Sequence, residues 1–258
     1  MSPRNNVIED LTSLVDRELI SPEDFAQAHS LYRTVFGYGD TSLGINPRLL
    51  ATLGTNGGSA VGIFTSEPAN RLVGFSYGYP GVDKSGQNYH YSQAAVVDPT
   101  LQGRGVGRLL KAAQAEVARK NGATHMRWSF DPVQARNAHF NLDTLGSRGR
   151  WFTPNLYGPD CDRMTVEWDL GKENSVSRVS AVTGIQSSPS DWGKPFDRNG
   201  RVFLPIPAQF KNLDVGAAAE VRAQLREALT QLLASGLVAF SCDRVGEDTA
   251  MYCFTLEY

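Results

Sequence analysis

The stretch from Val96 to Glu116, VVDPTLQGRGVGRLLKAAQAE, limits what this chain can fold into more than any other. An apolar run ends at Asp98-Pro99, and glycines recur at 103, 105 and 107. A helical pattern begins at once, with Val106, Leu109, Leu110, Ala113 and Val117 on one face. Glycines at this spacing let the backbone turn tightly and let a ligand come close to it. The N–H groups that open a helix lack intrahelical partners, and the helix dipole adds positive potential there, so the turn is suited to an anion. Arg104 and Arg108 contribute formal positive charge, which makes a phosphate or pyrophosphate the expected occupant. The plainer reading is a strand-to-helix turn flanked by solvated arginines.

Two other glycine loops fail on their residues. A Walker A loop needs GK[ST] at the helix start, whereas Gly107 is followed by Arg108 and Leu109. A dinucleotide fingerprint needs GxGxxG after the first strand of a parallel unit. From Gly105 the chain reads GVGRLL, and the strands before it are expected to be antiparallel.

Those strands are SAVGIFTSE (59–67), RLVGFSYGYP (71–80) and YHYSQAAVVD (89–98), joined by connections short enough for a meander. Ahead of them, Ser21 and Pro22 open an amphipathic helix carrying Phe25, Ala28, Leu31, Tyr32, Val35 and Phe36 and stopped by Gly37. A short helix is expected from Pro47 to Leu53. After the glycine-loop helix, capped at Gly122, come a strand at 124–130, a helix from about Gln134 to Leu145, and strands around GRWFTPNLYG and DRMTVEWDL. The strand, helix, strand order makes the sheet mixed. Polar, Ser- and Gly-rich sequence from 171 to 199 reads as a linker or irregular crossing. Then follow a strand RVFLPIP, a helix from Asp214 to Ser235 and a closing hairpin of LVAFSCDR and AMYCFTLEY. The expected organisation is a main domain over 1–170, a linker over 171–199, and a small α+β extension over 200–258 packed on the first domain.

The 258 residues carry a formal charge of −2 with no block of like charges, so a small-molecule partner is expected rather than nucleic acid or a membrane surface. The N-terminal segment has no basic stretch followed by an apolar core, and a cytoplasmic protein is expected. Cys161, Cys242 and Cys253 are scattered, His29, His90, His125 and His139 form no close pair, and no metal site is expected.

The pattern QGRGVG after VVDP closely resembles the acetyl-CoA pyrophosphate loop of the GNAT acetyltransferases, Gln/Arg-x-x-Gly-x-Gly/Ala, with Gln102, Gly105 and Gly107 at the motif positions. The resemblance extends over roughly 21–170, where the order of elements follows that family's, and it implies a GNAT fold: an α+β domain with a mixed, mostly antiparallel sheet flanked by helices. It also implies acetyl-CoA, or another acyl-CoA, as cofactor. Gln102, Gly103, Arg104, Gly105, Val106, Gly107 and Arg108 would hold the pyrophosphate. The backbone of Ala95, Val96 and Val97, near a bulge, would hold the thioester and the pantetheine arm. Donors there would stabilise the oxyanion formed as an amine attacks. Asn137 and Asn141, spaced i and i+4, are candidates for the cofactor amide or the acceptor, or else polar residues of the helix surface.

Acyl transfer to an amine needs a base for the ammonium and an acid for the leaving thiolate. In the family the acid is commonly a tyrosine four residues before the glycine ending the second motif helix; here that position is Leu142, a departure. His139 and Asn141 on that helix and Tyr157 after it are the candidates nearby, and His90 or Tyr91 could act as base through water, with no acid on that strand to assign the role. Alternation places Tyr89, Tyr91 and Gln93 on one face of their strand and His90, Ser92 and Ala94 on the other. Arg127, Arg136, Arg148 and Arg150 either bind a carboxylate or form ordinary salt bridges. The resemblance extends to a GNAT subgroup that carries a C-terminal extension. The expected activity is N-acyl transfer from acetyl-CoA to a small-molecule amine, in a protein able to form a homodimer. Rival readings are a non-catalytic acyl-CoA sensor and an enzyme using a longer or carboxylated acyl-CoA.

Overall fold

The computed structural model describes residues 13–39, 44–66, 68–171 and 181–256. The chain divides into two compact units, residues 1–126 and 127–258.

The first unit contains β1 (Leu14–Glu18), α1 (Pro22–Phe36), α2 (Pro47–Leu53), β2 (Ser59–Thr65), β3 (Leu72–Val82), β4 (Asn88–Val97) and α3 (Val106–Lys120). Its strands lie in the order β1-β2-β3-β4, each antiparallel to the next. α1 begins where the sequence places it. The Ser21 hydroxyl accepts from the Asp24 N–H, the Asp24 carboxylate accepts from the N–H groups of Ile20 and Ser21, and Gly37 closes the helix at φ +69°. Arg17 forks onto Asp24 at 2.7 and 2.8 Å, and these hydrogen bonds hold the Asp24 carboxyl down at about 2.

One face of the meander packs on α1 and α2 through Phe25, Ala28, Leu50, Leu53, Phe64, Phe75 and Val96. The other packs on α3 through Val61, Ile63, Val73, Val106, Leu110 and Val117. α3 can sit this close because β3 has Gly74 beneath it: a Cβ there would stand 3.3 Å from both Val106 Cγ1 and the Val96 carbonyl oxygen.

β5 (His125–Phe130) begins at the end of the first unit and continues into the second. The second unit adds α4 (Ala135–His139), β6 (Arg148–Thr153), β7 (Arg163–Asp169), β8 (Phe196–Arg198), β9 (Arg201–Pro207), α5 (Val215–Ala234), β10 (Leu237–Arg244) and β11 (Thr249–Leu256). Its strand order is β5-β7-β6-β10-β11-β9-β8. The residues after 200 therefore join the sheet edge left by β6. Ala239 pairs with Gly149, where a Cβ would meet Met164 Sδ at 2.5 Å and Ala239 Cβ at 3.0 Å. α5 packs through Val221, Leu225, Ala228 and Leu229, and contacts β6, β9 and β10.

Two elements differ from the sequence expectation. The helix expected to run to Leu145 leaves α geometry after His139 and continues as one wider π turn, Phe140–Thr144, with the Leu145 N–H donating to the Phe140 carbonyl. The strand expected through GRWFTPNLYG ends at Thr153, because Asn155 takes positive φ, +52°, and its N–H donates to Asp162 Oδ1. Tyr157 thus stands in an exposed turn, 55% accessible. Of the crossing expected at 171–199, residues 172–180 lie outside the described residues. The rest packs Val182 and Ile185 against Phe203, Met251 and Cys253, and Trp192 Nε1 donates to Thr249 Oγ1 at 3.0 Å. Among the described residues no helix is long and apolar enough to cross a membrane.

Candidate functional site

β4 delivers the chain to the glycine run through a tight corner. Asp98 Oδ1 accepts from the Thr100 N–H and hydroxyl, and Arg71 pairs with Asp98 Oδ2 at 2.8 Å. One turn of 3-10 helix, 99–101, follows, and Gln102 Nε2 reaches back to the Val97 carbonyl at 3.3 Å. Gly103 and Gly105 take φ of +80° and +90°, which is why glycine is needed at both positions.

Gly105 is the N-cap of α3, and it offers the helix no side-chain oxygen; the first turn has no acidic residue either. The other long helices differ, with Ser21 capping α1 and Asp214 capping α5. The opening of α3 thus keeps its N–H groups and dipole for an anion, with Arg104 and Arg108 in the loop and first turn. The Val106 side chain is buried, so only its backbone is available to a ligand.

β4 carries the expected bulge. Pairing with β3 shifts between Tyr77 and Gly78: Ala94 faces Tyr77, Ser92 faces Gly78, and Gln93 is the extra residue. The bulge overturns the simple alternation expected for this strand. Ser92 and Ala94 fall on opposite faces, and Ala95, opposite Ser76, returns to the α3 face with Ser92. Ala95 is exposed while the flanking Val96 side chain is in the core, so the Ala95–Val97 segment offers a ligand mainly backbone. Opposite Ala95, the Ser76 hydroxyl is buried with no hydrogen-bond partner among the described residues. An uncapped glycine helix start, a bulged strand with an open backbone and an orphaned hydroxyl beside it fit a long ligand with an anionic end.

His90 does not sit at an open surface. It is 1% exposed on the α3 face, its Nε2 is 2.8 Å from Ser59 Oγ, and burial, then the charge of Lys111, push its pKa down to about 4. It is neutral at physiological pH and enclosed, a correction to its reading as a base at a cleft. The same buried layer holds features the sequence reading missed. Lys111 Nζ donates to Ser92 Oγ at 2.8 Å, Ser92 Oγ donates to Gln114 Oε1 at 2.7 Å, and Gln114 Nε2 donates to Ser59 Oγ at 3.0 Å. A lysine and a glutamine within a helical stripe of Val106, Leu110, Ala113 and Val117 were the only sequence hint of it.

In the second unit, His139 is half exposed. Its Nδ1 donates to the Cys242 carbonyl at 2.9 Å and faces Asp143 at 3.4 Å and Asp243 at 3.8 Å. The Asp143 hydrogen bond chiefly raises its pKa to about 9, so it carries a proton at neutral pH. Tyr157 lies under the Arg163 guanidinium, 5.2 Å from the ring centre. Asn141 is 2% exposed and its Oδ1 accepts from Trp128 Nε1 at 2.9 Å, which withdraws it from ligand binding; Asn137 is exposed. Leu142, where the family's usual tyrosine would stand, is 1% exposed in the core. Arg127 and Arg150 share Glu167 at 2.7 and 2.8 Å, Arg127 also lies over Trp151, and Arg148 donates to the Gly146 and Ser147 carbonyls; Arg136 is exposed. Among the described residues no group of three His, Cys, Asp or Glu side chains could hold a metal.

Comparison with known proteins bears on this geometry. Among curated proteins, no sequence matches. The solved structures that resemble the chain include yncA from Salmonella typhimurium, solved with its cofactor acetyl-CoA, at 16% identity and a TM-score of 0.48 over 65% of this chain and 99% of that one. Another is the ribosomal-protein-S18-alanine N-acetyltransferase from Escherichia coli, at 14% identity and 0.47 over 63% and 97%. An aminoglycoside 6'-N-acetyltransferase complexed with coenzyme A shares 15% identity at 0.47 over 62% and 98%. The family model of the acetyltransferase (GNAT) family matches residues 25–141, from α1 through the glycine loop to the π turn. Over those residues, 25–141, the chain is similar to the acetyltransferase (GNAT) family.

Proposed function

We propose that the protein is an acyl-CoA-dependent N-acyltransferase that moves an acetyl group from acetyl-CoA to the amine of a small molecule by direct attack. The observation that carries this reading is the Gly105 start of α3, left without a side-chain cap or first-turn acid and flanked by Arg104 and Arg108. Gln102, Gly103, Gly105, Gly107 and the N–H of Val106 would hold the pyrophosphate. The backbone of Ala95, Val96 and Val97, beyond the bulge, would line the thioester and pantetheine.

When bound, acetyl-CoA supplies an acyl group activated as a thioester. The amine attacks the carbonyl carbon, the C–S bond breaks, the ammonium loses a proton and the thiolate gains one. Backbone donors of the bulged strand would favour the oxyanion in the transition state. For the thiolate proton the reading keeps His139, protonated at neutral pH, and Tyr157, exposed in its turn. His90 is dropped as the base, since it is enclosed.

The catalytic part is assigned to 1–170, with 171–199 as the crossing and 200–258 as an extension integral to it. Support for the extension comes from Asp143, whose carboxylate accepts from Ser241 Oγ at 2.6 Å and from the Cys242 N–H at 2.8 Å.

Release of free thiol from acetyl-CoA in the presence of a broad panel of primary amines tests the reading. Amine-dependent release supports it, and acetyl-CoA binding without release from any amine would favour a second reading, a sensor that binds acyl-CoA without turnover. That alternative is favoured by Leu142, whose burial leaves no hydroxyl at the family's usual acid position.

A further inference from the structure

The buried layer between α3 and the meander has a composition that stability alone does not account for. Ser59, His90, Ser92, Lys111 and Gln114 are each no more than 4% exposed, and they form one continuous hydrogen-bonded chain from β2 through α3 to β4. Withdrawing an ammonium from water costs several kcal/mol per ion by order of magnitude, and an apolar side chain of similar length would fill the space without that cost. The burial is deep enough to bring the Lys111 pKa down to about 7.

The chain also has a definite location. It meets β4 at His90 and Ser92, and Ser92 is the last residue in register before the extra residue Gln93. Beyond the bulge, Ala95 returns to the same α3 face. Lys111 itself lies on α3, whose first turn contains the last glycine of the run, Gly107. Lys111, with Gln114 one turn on, therefore ties the helix that carries the anion site to the strand residue at which the bulge begins.

We propose that Lys111 is a positioning residue: through Ser92 it sets where the β4 bulge falls relative to α3, and so places the Ala94–Val97 backbone for the acyl end of the cofactor. This rests on the acyl-CoA reading and deepens it, because it separates recognition of the acyl group from recognition of the pyrophosphate. Lys111 acts through Ser92 and does not touch the reacting atoms. Lys111 bonds Ser92 of β4 and its charge acts on the neutral His90, the other titratable member of the chain, while Gln114 of its own helix and Ser59 of β2 join through Ser92.

The experiment compares wild type with Lys111→Met and Ser92→Ala, measuring affinity for acetyl-CoA and for CoA by calorimetry, kcat with an active amine, and melting temperature. The expected result is CoA affinity within about twofold of wild type, with the preference for acetyl-CoA and kcat both reduced about ten- to a hundredfold, the size of loss that small misplacement produces. Lys111→Met melts no lower than wild type. Ser92→Ala carries the same comparison should Lys111→Met not fold. Unchanged acetyl preference and kcat in a folded variant overturn the proposal, as does a parallel loss of affinity for CoA and acetyl-CoA. A wild-type protein that binds neither ligand removes the acyl-CoA reading itself, an outcome seen before any variant is made.

Discussion

His139 and Asp143 form an ion pair across one helical turn, Nδ1 to Oδ2 at 3.4 Å, where α4 passes into the π turn. Asp143, with help from the Cys242 carbonyl and Asp243, raises the imidazole from 6.5 to about 9. A group whose folded pKa is raised stabilises the fold in full below its unfolded value and loses that contribution as pH rises through the folded value. Wild type should therefore exceed His139→Gln in melting temperature at about pH 6, with the gap closing by about pH 9.5. A gap that stays constant over that range would show that the ion pair does not carry the effect.

Lys111 titrates with the opposite sign. Its folded pKa of about 7 lies below the ordinary 10.5, so the unfolded chain binds more protons between those values and stability rises with pH across that window. His90, near 4, has already lost its proton there. The difference in unfolding free energy between wild type and Lys111→Met should move in favour of wild type between about pH 7 and pH 10. Denaturant titrations at four pH values check this, and a flat difference would contradict the burial of the amine.

Asp143 joins the π turn to the C-terminal strands through Ser241 and Cys242. Asp143→Ala leaves the buried Cys242 N–H without its acceptor, a loss of about 1–3 kcal/mol. Truncation after Leu170 removes β10 and β11 as well and exposes the core they cover, so the shortened chain should aggregate. A soluble, cooperatively melting 1–170 fragment would show that the extension is dispensable for folding.

Leu142→Tyr restores the side chain usual in the family at a site with 1% exposure. Overpacking there should cost about 1–3 kcal/mol and should not raise kcat. Tyr157→Phe and His139→Gln should each be compared by kcat at saturating acetyl-CoA; the residue that protonates the thiolate lowers kcat while leaving cofactor affinity intact. Faster turnover in Leu142→Tyr would mean that the acid position is Leu142 after all.

Much of this was legible from local pattern. The α1 cap, the short α2, the three-strand meander, the glycine loop and the closing hairpin all rest on signals contained within one element. β1 was missed, since LVDRE has too few apolar residues to declare a strand, and it is formed by pairing with β2 from Leu14↔Thr65 to Glu18↔Val61. The π turn was also hidden, because FNLDTLG keeps helical spacing; its widening is set by distant partners, Trp128 on Asn141 and Ser241 on Asp143. Period-two alternation placed His90 and Ser92 together correctly, but the Gln93 bulge then reversed the faces beyond it. The Lys111 chain draws Ser59 from β2, His90 and Ser92 from β4, and Lys111 and Gln114 from α3, so no window of sequence contains it.

Titrating acetyl-CoA into wild type, Gly105→Ala and Gly105→Glu tests most directly whether the start of α3 is the cofactor's anion site. At φ +90° both substitutions carry the same backbone strain, and only glutamate adds negative charge. The prediction is binding by wild type, weakened binding by the alanine variant and none by the glutamate variant at equal melting temperature. Equal affinity in the alanine and glutamate variants would contradict the assignment of the loop.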